Sequence, residues 1–162
     1  MKFIVHEHPV GRAATNYIAR ADLAPFGLEG QVEQLWLIPR NDKGYEVSCI
    51  PFSTYGIALG DTVLLNDDDY VSEVVGASRH RTLRLLFTPD LPPADLQRAA
   101  DQIKAEIIAG DLLSEWNGAR FVAVDVPPNV EPSGLFAVME AAVNAGHAFW
   151  EWANAIPFAS PS

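Results

Sequence analysis

The sequence predicts a single α+β domain over residues 1–162, built from an antiparallel β-meander or small barrel followed by a strand–helix–strand–helix half. Closely spaced alternating segments occupy a β-rich part, residues 31–87, and helical periodicity begins after it, in residues 88–156. Apolar residues make up 49% of the chain, which is enough for a substantial core. Residues 1–30 are rich in glycine and proline and are predicted to form a wrapping arm.

Short alternating runs separated by turn residues indicate strands that pair with their neighbours along the chain. Asn-Asp-Lys-Gly at 41–44 is typical of a hairpin turn, and Asp-Asp-Asp at 67–69 marks a second turn. Five strands are therefore predicted, at residues 32–40, 45–52, 61–66, 70–78 and 81–87.

The remaining elements are two helices and one strand. A helix is predicted within residues 88–110, because prolines precede an apolar face and Gly110 follows it. A strand at 120–128 ends at a proline pair. Ser133 is predicted to cap a second helix running from about Gly134 to Asn154. Both helices are expected to pack on one face of the sheet.

The charge balance restricts the classes of partner. The chain has 21 acidic and 11 basic residues, a net charge of -10, and no basic run that would suit nucleic acid. It has no apolar segment of about 20 residues that would span a membrane, and its single cysteine favours a reducing compartment. We expect a soluble bacterial-type cytoplasmic protein without a metal or other cofactor, whose partner is a basic protein.

The only cysteine lies in the segment CIPFSTYGIALGD, residues 49–61. A catalytic Cys49 would need a histidine base and an electropositive setting. Its place in a strand among apolar residues favours a core position instead. Pro51 is expected to end the strand, and Gly60 with Asp61 to turn the chain into the next one.

The histidines offer a weak metal signal. His6 and His8 flank Glu7, so that both rings could face one way on a strand and supply two ligands. No third ligand is marked by the sequence, and we expect a solvated arm at this position. His147 is interpreted as a structural, hydrogen-bonded histidine.

A second polar feature is the basic segment formed by Arg79, His80 and Arg81, with Arg84 following in the next strand. Arginine forks suit a carboxylate or phosphate, so this segment is an alternative anion site. The structural interpretation, which we favour, pairs the arginines with carboxylates on adjacent strands. The candidate carboxylates are Asp61, Glu73 and Asp125.

The turn at residues 67–69, with its three adjacent aspartates, is the most distinctive surface feature. Adjacent carboxylates repel one another and are expected at an exposed tip, where they could dock on a basic surface. The spacing lacks the alternating ligands and glycine of a calcium loop. The candidate partner-binding residues are Asp67, Asp68, Asp69, Tyr70 and Glu73.

Three stretches together resemble a bacterial family catalogued as domain of unknown function four-two-six-five. They are EQLWLIPR, YEVSCIPFSTYGIALGD and SRHRTLRL, which match its E-x-L-W, C-x-I-P-F-x-x-Y-x-x-A-L-G-D and H-R-T patterns across roughly residues 20–126. Arg79 stands where the pattern has glycine before the histidine. The family has no assigned activity, so the resemblance implies no catalytic residue.

Three functions are compatible with these observations. The first is a non-enzymatic acidic binding protein, an immunity protein or inhibitor of a bacterial toxin, with aromatics such as Trp116 or Trp152 as anchors. The second is a small enzyme or anion-binding protein that combines the basic segment with Asp61 or Cys49 in one pocket. The third is an oligomeric module that associates through HAFWEW, residues 147–152. Because no catalytic motif is present, the sequence favours the first.

Overall fold

The structure, a computed structural model, describes residues 1–161; Ser162, the last residue of the predicted domain, lies outside it. It contains a six-stranded and a four-stranded sheet together with two α-helices. The strands are β1 (Lys2–Ile4), β2 (Tyr17–Asp22), β3 (Gln31–Pro39), β4 (Tyr45–Val47), β5 (Thr62–Leu65), β6 (Val71–Gly76), β7 (Arg81–Phe87), β8 (Leu113–Asn117), β9 (Phe121–Val126) and β10 (Ala148–Trp152). The helices are α1 (Pro93–Ala109) and α2 (Ser133–Asn144).

The first sheet contains the predicted meander. Strands β3, β4, β5 and β6 pair antiparallel in chain order, β2 pairs antiparallel with β3, and β1 pairs parallel with β3. The sheet curls until β2 approaches β6, where Arg20 and Tyr70 form an isolated bridge. Both sheets remain open, so the meander is confirmed and the barrel alternative is not.

The second sheet has the order β10-β7-β9-β8 and is antiparallel throughout. Alternation along β7 sends Leu83, Leu85 and Phe87 to the side that packs on both helices. Arg84 and, on β9, Ala123 face the other way, toward the first sheet and the 49–61 segment. The molecule is therefore layered as helices, second sheet and first sheet, which confirms that the helices share one sheet face.

The end of the chain differs from the prediction. Helix α2 stops at Asn144 rather than Asn154, because Gly146 adopts a φ of 76° that ends the helical path. Residues 148–152 form β10 instead, and pair with β7. Ser133 is the first helical residue and makes no capping bond with its side chain.

Three further strands lie outside the predicted set. Residues 1–30 contribute two short strands, β1 and β2, to the first sheet, and β8 pairs with β9 at the edge of the second. The predicted strands between residues 32 and 87, and the helix before Gly110, are confirmed. The strand predicted at 45–52 is shorter than expected, because β4 ends at Val47, before Cys49 and Pro51. Within residues 1–161, neither helix is long and apolar enough to cross a membrane.

Candidate functional site

A compact group of buried titratable side chains lies between the two sheets, around His6. Its Nε2 is 2.7 Å from Glu33 Oε2, and its Nδ1 is 2.7 Å from Glu115 Oε1. The ring also stacks on Phe52, with centroids 4.2 Å apart and planes 3° from parallel. The side chains of His6 and Glu33 are 0% exposed and that of Glu115 is 2% exposed. We call His6, Glu33 and Glu115 the buried cluster.

The Glu33 carboxylate accepts several hydrogen bonds from the 49–61 segment. Its Oε2 accepts the Phe52 N–H at 2.6 Å, besides the bond from His6. Its Oε1 accepts the N–H groups of Ser53 and Thr54 at 2.9 and 2.8 Å, and the Thr54 hydroxyl at 2.7 Å. A carboxylate with this many donors is strongly stabilised in its charged form.

Glu115 ties the same segment to the second sheet. Its Oε2 accepts the Ile50 N–H at 2.6 Å and, more weakly, the Val10 N–H at 3.4 Å. Because Glu33 belongs to β3 and Glu115 to β8, the buried cluster links both sheets and the connection between β4 and β5. The N–H groups that this irregular segment directs inward are therefore paired with charged acceptors.

The cluster is electrostatically balanced. Burial by itself favours neutral imidazole, but the adjacent Cys49 sulfur and the hydrogen bonds to Glu115 and Glu33 outweigh it and raise the pKa of His6 to about 12. Burial alone would raise the pKa of Glu33, whereas the bond with His6 and its charge lower it to about 2. An imidazolium thus lies between two carboxylates, with the buried Arg84 guanidinium nearby as a second cation.

The predicted solvated arm is wrong at His6. His8 is exposed, but His6 is sealed in the core with both ring nitrogens engaged by carboxylates, so the two histidines do not face a common ligand. Sequence reasoning also missed Glu33 and Glu115. Period-two alternation places Glu33 on the same face as Leu35 and Leu37, which was a usable signal for an inward carboxylate.

Arg84 lies near the buried cluster, on the side that faces β10. Its guanidinium donates to the Thr54 carbonyl, lies 4.8 Å above the Tyr55 ring and is 3.5 Å from Glu151. Its Nε is buried without a hydrogen-bond partner among residues 1–161. Beside it is a cleft of about 180 Å³, walled by Leu86, Phe121, Phe149 and Trp150 and flanked by Glu151.

Cys49 is completely buried, which confirms its predicted core position. Burial raises the pKa of its thiol, and its sulfur accepts the Trp36 N–H at 3.4 Å. Its charged neighbours are His6 and the two glutamates of the buried cluster rather than His80. A neutral, enclosed thiol is a poor nucleophile.

The basic segment does not converge on a common point. His80 Nδ1 is 2.9 Å from both carboxylate oxygens of Asp125, and the Arg81 guanidinium lies 4.4 Å above the Trp152 ring. Arg79 is exposed and has a φ of 68°. The predicted pairing with Asp125 is therefore made by the histidine. Asp61 contacts the segment through Ser78, whose N–H and hydroxyl both donate to its carboxylate.

The acidic candidates all lie on the β5–β6 hairpin. Asp67, Asp68 and Glu73 are exposed. Asp69 is half-buried and accepts the Tyr17 hydroxyl at 2.5 Å, and Tyr70 is half-buried beneath the Arg20 guanidinium, 4.6 Å away. The hairpin thus presents carboxylates on a tip whose base is bonded to β2.

The two tryptophans predicted as anchors are half-buried rather than free. Trp116 carries the Lys104 ammonium 5.0 Å above its ring, and Trp152 carries Arg81. One face of each ring is already occupied by a cation of the same chain. Neither is the exposed anchor that the first function expects.

Comparison with known proteins bears on the fold and the family. The model of a family described as "Domain of unknown function (DUF4265)" matches residues 33–152. A crystal structure of a hypothetical protein from Neisseria gonorrhoeae is similar, with a TM-score of 0.65, 17% identity, and coverage of 88% of this chain and 97% of that one. No curated protein matches significantly. At this identity the similarity concerns the fold alone.

Proposed function

We propose that this chain, which belongs to the DUF4265 family, is a non-enzymatic acidic binding protein that neutralises a basic protein partner, as an immunity protein neutralises its toxin. The observation that carries the proposal is the exposure of Asp67, Asp68 and Glu73 on the β5–β6 hairpin, whose tip is held by hydrogen bonds. The net charge of -10 adds a long-range field that would speed encounter with a basic surface.

The hairpin tip is held by several independent contacts. The Asn66 side-chain oxygen accepts the N–H groups of Asp68 and Tyr70, each at 3.0 Å. The Arg20 guanidinium donates to the Asp68 carbonyl, and the Arg20 N–H donates to the Asp69 carbonyl. A tip fixed before binding loses little conformational entropy when a partner docks.

The enzymatic alternative finds less support in the geometry. It requires Cys49 or Asp61 to share an open pocket with the basic segment. Cys49 is enclosed and contacts the buried cluster, and the His80 ring is directed to Asp125. His6 and Glu33, whose pKa values are both strongly shifted, are sealed from solvent and serve the architecture of the core.

We expect the triple variant D67N/D68N/E73Q to weaken binding of the basic partner about tenfold or more, chiefly through a slower association rate. All three side chains are exposed, so the fold should be unaffected. The partner is first obtained by co-purification from the native host with the products of neighbouring genes. Binding is then followed by surface plasmon resonance at low and high salt.

The matched control is D90N/D111N/E131Q, which removes three exposed carboxylates elsewhere on the chain. Its net charge is therefore the same as that of D67N/D68N/E73Q. Equal weakening by both triple variants would mean that overall charge, rather than the hairpin, directs binding. Recovery of no basic partner from the host at low salt would contradict the proposed function itself.

A further inference from the structure

The edge strand β10 points to an interface that the acidic hairpin does not explain. It ends the second sheet, with β7 on one side and, within residues 1–161, no strand on the other. We propose that β10 pairs antiparallel with β10 of a second copy of this chain, joining the two four-stranded sheets across a two-fold axis. The inference is independent of the proposed function.

The ladder with β7 determines which backbone groups are free. The Thr88 N–H donates to the His147 carbonyl, so in this register the backbones of Phe149 and Glu151 also face β7. Those of Ala148, Trp150 and Trp152 therefore face outward. They have no hydrogen-bond partner within residues 1–161. Native proteins commonly protect such an edge with charge, proline or a bulge, and β10 has only Glu151.

The charge distribution around β10 is compatible with a second copy. Two molecules of charge -10 repel one another wherever acidic surfaces meet. Between Pro132 and Trp150, however, Glu140 is the only Asp, Glu, Lys or Arg, although such residues make up 20% of the chain. Glu151 is flanked by Arg84 at 3.5 Å. Helix α2 and β10 thus form a charge-poor region on which an acidic copy can be accommodated.

The strand is also complementary to itself. Pairing centred on Trp150 satisfies the outward N–H and C=O groups of both copies. It places Ala148 opposite Trp152 of the second copy, a small side chain against a large one, on the side that packs on Phe136. On the other side, Phe149, which is 66% exposed in the single chain, lies opposite Glu151 of the second copy.

This register gives a test in which charge sign matters. In Phe149→Glu, the new carboxylate of each copy lies opposite Glu151 of the other copy, which gives two repulsive pairs across the axis. We expect the dimer dissociation constant to rise about tenfold or more. In Phe149→Lys a cation faces the same Glu151, and the constant should stay within about threefold of wild type. Because Phe149 is exposed, neither variant should unfold, which circular dichroism will verify.

Sedimentation equilibrium at micromolar concentration measures the result. The wild type is expected at twice the chain mass of 17.7 kDa, Phe149→Lys near that value, and Phe149→Glu shifted toward the single chain. A wild type that remains at 17.7 kDa up to about 100 µM would overturn the inference, since two edge strands that pair should do so in this range. Equal effects of glutamate and lysine would overturn it as well.

Discussion

Replacing His6 by alanine is expected to lower the free energy of unfolding by about 3–5 kcal/mol, the range seen when one partner of a buried charge pair is removed. The substitution leaves the carboxylates of Glu33 and Glu115 facing each other in the core without the cation between them. It also deletes the ring that stacks on Phe52. Urea denaturation followed by circular dichroism measures the change.

His8→Ala is the matched control, two residues away and exposed, and should change stability by no more than about 0.5 kcal/mol. His6→Gln retains a single side-chain nitrogen as donor and should fall between the two. A His6→Ala protein within about 1 kcal/mol of wild type would show that the buried cluster does not hold the sheets together. Complete failure to fold would agree with the expectation, provided that His8→Ala folds normally.

The second large effect is on the pH dependence of stability. The His6 pKa is raised from 6.5 to about 12, so its contribution is complete below pH 6.5 and is lost progressively as the pH rises toward 12. The Glu33 pKa is lowered from 4.5 to about 2, so its contribution is complete above pH 4.5 and is lost as the pH falls toward 2. Stability should therefore be greatest between pH 4.5 and 6.5.

On the alkaline side, the native state holds one proton that the unfolded state has released. The free energy of unfolding should therefore fall by at most about 1.4 kcal/mol for each pH unit. Between pH 6.5 and 9 this slope is best isolated, because the raised pKa values of Cys49 and Tyr55 add losses of their own at higher pH. Urea midpoints at half-unit steps measure it, and His8→Ala should retain the slope. A wild-type profile that is flat from pH 6.5 to 9 would be inconsistent with a buried imidazolium.

The sequence was informative wherever local pattern and burial agree. Alternation predicted β3 and β7, turn chemistry predicted the β5–β6 hairpin, and the apolar setting of Cys49 predicted its burial. The local pattern wrongly predicted a helix at residues 145–154. The helical spacing of apolar residues continues past Gly146, but the backbone conformation of this glycine ends the helix. The aromatic run after it is amphipathic in either conformation, and pairing with β7 decides that it forms a strand.

The buried cluster was harder to predict because its members are far apart in sequence. His6 and Glu115 are separated by 109 positions, and β8, which carries Glu115, was not predicted. A histidine in a glycine-rich arm resembles a solvated residue until two sheets close over it. The 49–61 segment, interpreted as a connection between strands, proves to be the layer that supplies N–H donors to both glutamates.

This arrangement also bears on function. A general base needs a pKa near the working pH and access to substrate, and His6 has neither. The shifted pKa values of His6 and Glu33 are thus explained by the packing of the two sheets, and they do not indicate a catalytic site. The structural role of the buried cluster depends on His6 being a permanent, buried imidazolium.

The most direct measurement is therefore the protonation state of His6, read from the ¹⁵N chemical shifts of its imidazole between pH 5 and 10. Both ring nitrogens are expected to remain protonated across this range, with a pKa of about 12. His8→Ala removes the neighbouring exposed signal and assists assignment. A His6 ring that titrates near 6.5, or that is neutral at pH 8, would contradict the imidazolium between Glu33 and Glu115 and, with it, the structural role assigned to the buried cluster.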